Sequence, residues 1–293
     1  NYKDYNQIIT SCTKINVFDY KGGNYAPECK QNFDDLNLEF IVAIGGDGTV
    51  RQASDLIDYG LKFVHVPATM DRDLTGSDMA TGGFYTAVDE AAKAIVAMAK
   101  DSYKMCRTAV IEIMGRKSGA VAMYASAKAM EEVNIDFILI PDKKYSLKKI
   151  AKKIRKSNRP LVIVIAEGIN DVTNKSTDSK VGVHVSLAGI SNEIASELSK
   201  KTQTPVKALQ CDYRLRSAPP VKEDIELVEN FINMAIEKLK TGHINFSTIK
   251  NADYDILPIK QMKMLNPSSD EPKLLLKEDP IWKVLSDMDF GEE

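Results

Sequence analysis

Short apolar runs alternate along this chain with longer stretches in which apolar residues recur at helical spacing. The strand-like runs lie at residues 40–44, 61–66, 108–114, 135–140 and 160–166. The helix-like stretches lie at residues 50–59, 84–100, 119–133, 147–154, 187–201 and 225–239. Unbroken apolar runs of this length are typical of parallel strands buried on both faces, and the intervening helices would cover those faces. The pattern predicts an α/β fold.

A glycine-rich segment, Gly45-Gly46-Asp47-Gly48-Thr49, stands between the first strand-like run and the first helix-like stretch. A glycine turn at this place brings backbone N–H groups and the positive end of a helix dipole to a phosphate. A carboxylate inside the turn can hold the Mg²⁺ that a polyphosphate carries, and Asp47 is placed for that task. By itself, however, such a turn is also a common connection between a strand and a helix.

A second polar segment, Thr69-Met70-Asp71-Arg72-Asp73, follows the next strand-like run. It places two carboxylates in one loop, so that one can take a proton from an acceptor hydroxyl while the other stays near a metal. Alone, an Asp-x-Asp loop is more often a solvated turn. Ligands of parallel α/β sheets bind outside the carboxyl ends of the strands, where both segments fall. Together the two segments indicate phosphoryl transfer.

Composition and charge remove several classes of function. The formal charge of −2 and the pI of about 6.1 argue against a nucleic-acid partner. The lysines and arginine of residues 148–156 fall on the polar side of an amphipathic helix, which predicts a solvated face. Four cysteines without a CxxC pair predict reduced thiols and a cytoplasmic protein without a zinc site. An apolar run of about 18 residues is absent from the sequence, so we expect no membrane partner.

Further motifs follow the two segments in a fixed order. They are Met114-Gly115-Arg116, Glu167-Gly168 and Tyr213-Arg214-Leu215-Arg216. In order and spacing, the whole set resembles the motifs of the 6-phosphofructokinases, over roughly residues 8–245. The glycine segment alone is shared with NAD kinases and diacylglycerol kinases. A kinase of that type would leave the Asp-x-Asp loop and the later arginines without roles.

The resemblance is to the ATP-dependent, bacterial-type enzymes, and it implies a fold and a reaction. The fold would be α/β, with two adjoining three-layer αβα domains whose sheets are largely parallel. Residues 1–83 and 215–260 would bind the nucleotide, residues 84–214 would bind the sugar phosphate, and residues 261–293 would form a tail. The reaction would move the γ-phosphoryl group of ATP to the 1-hydroxyl of fructose 6-phosphate, a step of glycolysis. Positioning and charge stabilisation would supply most of the catalysis.

The resemblance also implies roles for single residues. Asp71 would be the general base for the sugar hydroxyl, supported by Thr69 and Asp73. Arg116 would stabilise the charge on the transferring group, since a guanidinium fork matches phosphate oxygens. Asp47 would position Mg²⁺. The donor phosphates would contact Gly45, Gly46, Gly48, Thr49 and position 12, and the sugar phosphate would contact Met114, Gly115, Glu167, Tyr213 and Arg216.

Two further basic residues match positions that a neighbouring subunit supplies in the family. Arg107 lies before the Met-Gly-Arg motif and Lys207 before Tyr213, at the family's offsets. They would reach the neighbour's sugar phosphate, which implies a dimer or tetramer and the allosteric behaviour common among these enzymes. The alternative is that each is an ordinary charge at the start of a strand.

The choice of donor is predicted from two small residues. In pyrophosphate-dependent relatives, the position after the motif aspartate is often Asp, and the position before the loop threonine is Lys. Here these positions are Gly48 and Ala68. Small residues leave room for the α-phosphate of a nucleotide, so we predict ATP rather than pyrophosphate.

The sequence departs from the family pattern in several places. Position 207 is Lys rather than Arg, and residues beyond about 250 match only loosely. Cys12 stands where an Arg would contact the donor phosphates, with Lys14 as a candidate substitute. Arg72 replaces the Asn between the two aspartates. The family's first glycine-rich phosphate loop has no counterpart in the sequence, and we expect the native protein to contain it. Cys12 and the absent loop favour an alternative, a non-catalytic phosphofructokinase-like subunit that regulates a partner.

Overall fold

The computed structural model describes residues 23–77, 80–169, 179–181, 184–186, 189–211, 213–266 and 274–292. Two four-stranded sheets form its centre. The first has the order β1-β2-β9-β10, and the second has the order β4-β5-β3-β8. The strands of the first sheet are β1 (Ile41–Gly45), β2 (Phe63–Pro67), β9 (Phe246–Lys250) and β10 (Tyr254–Pro258). Those of the second are β3 (Thr108–Ile113), β4 (Phe137–Leu139), β5 (Val162–Ala166) and β8 (Val206–Gln210).

The second sheet is parallel throughout, and the first is parallel except for its β9–β10 pair. A separate antiparallel pair joins β6 (Ser179–Val181) to β7 (His184–Ser186). The helices are α1 (Ala26–Asp35), α2 (Asp47–Ile57), α3 (Phe84–Lys104), α4 (Ala120–Ala129), α5 (Leu147–Lys156), α6 (Ile190–Thr202), α7 (Arg214–Ser217), α8 (Lys222–Lys240), α9 (Ile259–Leu265) and α10 (Ile281–Val284). Helices α2, α8 and α9 pack on the first sheet, and α3, α4 and α6 pack on the second. The predicted α/β fold with largely parallel sheets is confirmed.

The strand-like run at residues 40–44 is less buried than predicted. Its observed strand, β1, lies at the edge of the described sheet, and its side chains alternate between covered and open faces. Ile41 and Ala43 pack into the core under α2. Val42 and Ile44 are 52% and 67% exposed. The prediction of burial on both faces is wrong here because α2 covers one face only. By contrast, every residue of β2 is buried.

The basic helix α5 agrees with its prediction. Leu147, Ile150, Ala151 and Ile154 are buried on one side. The lysines and arginine of residues 148–156 are exposed or half-buried on the other side. Ser146 begins the helix by accepting a hydrogen bond from the backbone N–H of Lys149. The run is a solvated helix face.

His65 links the two strands that flank β2. It is fully buried, with Nε2 2.9 Å from the Gly45 carbonyl oxygen and Nδ1 2.8 Å from Ser247 Oγ. A carbonyl oxygen only accepts, so Nε2 carries a proton, while the Ser247 hydroxyl beside Nδ1 also lies 2.9 Å from the Thr248 carbonyl oxygen. Burial lowers the pKa of His65 to about 4, despite the hydrogen bond to Gly45. The neutral ring therefore ties the end of β1 to β9.

A pH titration of stability tests this assignment. In the unfolded chain His65 binds a proton near its ordinary pKa, whereas the folded ring stays neutral until about pH 4. Its contribution is therefore fully present above about pH 6.5 and is lost as the pH falls toward 4. Between those values we expect the wild type to lose about 3 kcal/mol of unfolding free energy relative to His65→Gln. Denaturant unfolding at each pH measures the difference.

The matched control is His243→Gln, which removes an exposed imidazole just after α8. A constant difference between wild type and His65→Gln across this pH range would contradict the buried neutral ring.

Candidate active site

The loops after β1 and β2 touch at the carboxyl edge of the first sheet. The backbone N–H of Ala68 donates to the Gly45 carbonyl at 3.0 Å. A Cβ on Gly45 would lie 2.2 Å from Thr49 Oγ1, and a Cβ on Gly46 would lie 3.2 Å from the Cβ of Thr69. A side chain at Gly45 would therefore displace Thr49, and one at Gly46 would press on Thr69. Helix α2 starts directly after Gly46, which leaves its first N–H groups at this edge.

Asp47, the first residue of α2, is a buried carboxylate at 4% exposure. Its Oδ2 lies 2.8 Å from Nη2 of Arg51, and its Oδ1 lies 3.5 Å from Nη1 of Arg116. The backbone N–H of Gly48 donates to Oδ1 at 2.6 Å. Sequence reasoning missed Arg51. Its signal is the i,i+4 spacing from Asp47 on a helix, which brings two such side chains together.

The second loop buries both of its carboxylates. Asp71 Oδ1 lies 3.8 Å from Nη2 of Arg216, and the backbone N–H of Asp71 donates to Thr69 Oγ1 at 3.2 Å. Burial raises the pKa of Asp71, an effect that the charge of Arg216 opposes. Burial, with the charges of Asp71 and Asp47, raises the pKa of Asp73 to about 6. Two proton-accepting groups with raised pKa values thus share one loop.

Glu167 fixes the third loop, which follows β3. Its Oε1 accepts hydrogen bonds from the backbone N–H groups of Gly115, at 3.1 Å, and of Arg116. A Cβ on Gly168 would lie 2.2 Å from the Arg116 carbonyl oxygen, so no side chain fits there. Arg116 itself has a left-handed backbone, with φ of 56°. Glu167 binds the backbone of the Arg116 loop, and Gly168 has no side chain that would collide with it. The chain after β5 can therefore pack closely against that loop.

Arg216 comes from α7, which follows β8. With Thr69 it lines a cavity of about 280 Å³ whose other walls include Gly82, Thr86 and Leu215. Tyr213, just before α7, is 74% exposed. Met114 is half-buried and packs against the core of the second sheet. The structure thus brings Asp47, Thr69, Asp71, Asp73, Gly115, Arg116, Glu167 and Arg216 to one cleft between the sheets.

Arg107 and Lys207 lie away from this cleft within the chain. Arg107 immediately precedes β3, and Lys207 pairs in register with Ala109 near the start of that strand. The strand rises about 3.3 Å per residue, so Arg107 is roughly 20 Å from Met114 at the other end. Arg107 forms an ion pair with Asp101 at 2.9 Å. Cys12, the last predicted donor contact, lies outside the described residues.

Within the described ranges, no three or more His, Cys, Asp or Glu side chains cluster in a way that could hold a metal ion. Among the same residues, none of the helices has the length and apolar character needed to span a bilayer.

Comparisons with known proteins agree with this architecture. A pyrophosphate–fructose 6-phosphate 1-phosphotransferase of Thermoproteus tenax is 29% identical over 82% of this chain and 70% of its own length. An ATP-dependent 6-phosphofructokinase of Bacteroides thetaiotaomicron is 28% identical, covering 79% of this chain and 65% of that protein. The solved pyrophosphate-dependent phosphofructokinase of Marinobacter aquaeolei shares the fold, with a TM-score of 0.65 and 18% identity over 93% of this chain and 74% of its own. The phosphofructokinase family model matches residues 6–239, which is most of the chain, and the chain therefore belongs to the phosphofructokinase family.

Proposed function

We propose that the protein transfers a phosphoryl group to the 1-hydroxyl of fructose 6-phosphate. The observation that carries the proposal is the position of Asp71. Its carboxylate is buried, its pKa is raised, and Arg216 lies 3.8 Å away at the edge of a cavity. A general base works best when its pKa approaches the operating pH, and an adjacent guanidinium suits a phosphorylated substrate.

Each neighbouring residue takes a separate part in the proposed reaction. Asp71 accepts the proton of the sugar hydroxyl as it attacks, and Thr69 and Asp73 hold the loop around it. Arg216, with Tyr213, receives the 6-phosphate, while Met114, Gly115 and Glu167 line the sugar. Arg116 lies between Asp47 and the acceptor loop, where its guanidinium can meet the charge that develops on the transferring group. In the proposed division of labour, residues 1–83 and 215–260 take the donor and residues 84–214 take the sugar.

Asp47 is the residue we propose for Mg²⁺. Mg²⁺ is commonly held by one or two carboxylates together with substrate phosphates, which fits a single buried carboxylate at a helix N-terminus. When bound, the ion would neutralise charge on the donor phosphates. Arg51 orients Asp47 through its 2.8 Å contact.

For the donor we propose ATP. The support is the small size of Gly48 and Ala68, because larger charged residues at those places suit pyrophosphate. Gly45, Gly46, Gly48 and Thr49 supply the backbone and hydroxyl groups that would surround the donor phosphates.

We also propose a cytoplasmic location. The three cysteines among the described residues, Cys29, Cys106 and Cys211, are all free thiols. Free thiols are the usual state in a reducing compartment.

Replacing Asp71 tests the general base. Asp71→Ser should lower kcat by about 10²–10⁴-fold, the usual worth of a general base, and leave the affinity for fructose 6-phosphate nearly unchanged. Because burial raises the pKa of Asp71, the wild-type rate should fall on the acid side at a pH above the ordinary range of aspartate. Steady-state kinetics across pH, and binding of the sugar without donor, measure both effects.

The matched control is Asp34→Ser, which removes an exposed carboxylate at the end of α1. Near-normal turnover of Asp71→Ser would sink the assignment. A full-length protein that binds both substrates and shows no turnover would instead favour a regulatory subunit.

Subunit mixing tests the neighbour's contribution. Arg107→Ala or Lys207→Ala should each weaken fructose 6-phosphate binding and spare ATP, because both residues lie at the far end of β3 from their own site. Co-assembly of Arg107→Ala with Asp71→Ser should partly restore activity, since a mixed interface contains one intact site. Activity assays of the co-expressed variants measure this.

The control mixture is Arg107→Ala with Lys207→Ala. Every site then faces a neighbour that lacks one of the two cations, so no activity should return. Sedimentation of an active monomer would rule out the shared site.

Donor preference is a separate prediction. We expect kcat/KM to be higher for ATP than for pyrophosphate, and Ala68→Lys to lower the ATP value while sparing fructose 6-phosphate binding. The physical reason is that a lysine at position 68 fills the room of the α-phosphate. Parallel assays with the two donors decide it, and a clear preference for pyrophosphate would refute the choice of ATP.

A further inference from the structure

Arg72 sits between the two loop aspartates, but its side chain turns away from them. The Arg72 side chain is 7% exposed, and its Nη2 lies 2.9 Å from Oδ2 of Asp279. Its carbon lies 5.3 Å from the centre of the Phe84 ring and 5.1 Å from that of Tyr124. The Tyr124 hydroxyl donates to Asp279 Oδ1 at 2.7 Å. The buried ion pair therefore packs beside two aromatic rings that contact each other edge to face, with centroids 5.4 Å apart.

Asp279 belongs to a segment that is firmly attached to the second sheet. We call residues 274–292 the tail strap. The N–H of Leu275 donates to Asp142 Oδ1 at 2.7 Å, and the N–H of Ile138 donates to the carbonyl of Asp289 at 3.2 Å. Ile281 is buried, and its helix α10 packs on α4. Asp279 thus presents its carboxylate to Arg72 from a fixed support.

The backbone at Arg72 is strained. Its φ of 51° lies in the left-handed region, which costs free energy for most residues and least for Gly and Asn. Asn is the residue that the sequence resemblance places at this position. A strained conformation persists only where the surroundings over-determine it. Here the surroundings are the ion pair and the two rings.

Buried Met70 and Leu74 and two hydrogen bonds between Asn266 and Thr75 anchor the loop, but its side toward the strap borders open space among the described residues. A cavity of about 290 Å³ lies there, lined by Asp73, Thr75, Ser118 and Leu274 among others. Without the ion pair, the loop has room to move into that space, and Asp71 and Asp73 would move with it.

We propose that Arg72 and Asp279 are a positioning pair through which the tail strap sets the orientation of Asp71 and Asp73. This rests on the proposed function only in assigning those aspartates to catalysis. The competing explanation is that the pair merely stabilises the fold. Breaking a buried pair by removing one partner destabilises a protein, whereas replacing both partners with apolar groups is often neutral. That difference separates the two explanations.

The test uses the full-length protein and the variants Asp279→Asn and Arg72→Asn. Asparagine at 279 keeps an oxygen for Tyr124 but loses the charge, and asparagine at 72 suits the left-handed backbone. Each should lower kcat about 10–100-fold, because small misplacements of catalytic groups have effects of that size. The KM for fructose 6-phosphate should change less, since Arg216 is not displaced. Amide exchange in residues 69–77 should accelerate about tenfold, by mass spectrometry.

The matched control is Asp289→Asn. Asp289 lies in the same strap and pairs with Lys149 at 2.9 Å, so its loss weakens the strap without touching the loop. It should leave kcat and exchange at residues 69–77 unchanged. Equal exchange of these residues in Asp279→Asn and in the wild type would overturn the proposal, whether or not the protein turns over fructose 6-phosphate. A wild type that does not phosphorylate fructose 6-phosphate would instead count against the proposed function, and not against the positioning pair.

A double variant keeps the test decisive if the single variants fold poorly. Arg72→Met with Asp279→Asn keeps an oxygen for Tyr124 and for the N–H of Ile281, and removes the guanidinium that Asp279→Asn alone leaves unpaired. It should be more thermally stable than Asp279→Asn, with kcat remaining at least about tenfold low. Recovery of kcat together with stability would show that the pair is only structural.

Discussion

Charge balance among buried carboxylates is the constraint on which the cleft depends. Asp47, Asp71 and Asp73 are withdrawn from water within neighbouring loops, and each burial is unfavourable unless a cation or hydrogen bonds compensate. Arg51 and Arg116 face the first of them, and Arg216 and Arg116 offset the others. The compensation is incomplete at the Asp-x-Asp loop, which is why its carboxyl groups have raised pKa values. The raised pKa values of Asp71 and Asp73 favour uptake of a proton by these carboxylates.

Loop contact sets where those charges lie. A Cβ on Gly168 would collide with the Arg116 loop, and a Cβ on Gly46 would make a tight contact with Thr69 of the loop after β2. These close approaches bring the loops together, and Arg116 lies 3.5 Å from Asp47. The left-handed backbone at Arg116 is held by Glu167, which accepts its N–H. Glycines and a left-handed backbone thus allow loops from different strands to approach closely, so that arginines of one loop contact aspartates of another.

The sequence predicted the parts of this arrangement that have local signals. The apolar runs predicted strands β2, β3 and β5. The polar segments after these runs contain cleft residues, because ligands of parallel sheets bind at the carboxyl ends of the strands. Val42 and Ile44 were misjudged because apolar content does not reveal whether a strand lies at an edge. The partners Arg72 and Asp279 could not be foreseen, since a contact between residues more than two hundred positions apart leaves no periodicity. Asn266, which holds Thr75 from α9, was missed for the same reason.

The late return of the chain to the first sheet has a consequence for how the protein is made. Ser247, the hydrogen-bond partner of His65, is synthesised 182 residues after it. Until then β2 cannot pair with β9. All strands of the second sheet leave the ribosome before β9, so we expect that sheet to fold first on the nascent chain. During that interval the edge of β2 that later pairs with β9 is unpaired, and unpaired strand edges are templates for aggregation. The hydrogen bond between His65 and Ser247, which ties β9 to β2, the strand that follows the glycine segment, is therefore among the last contacts to form in each new molecule.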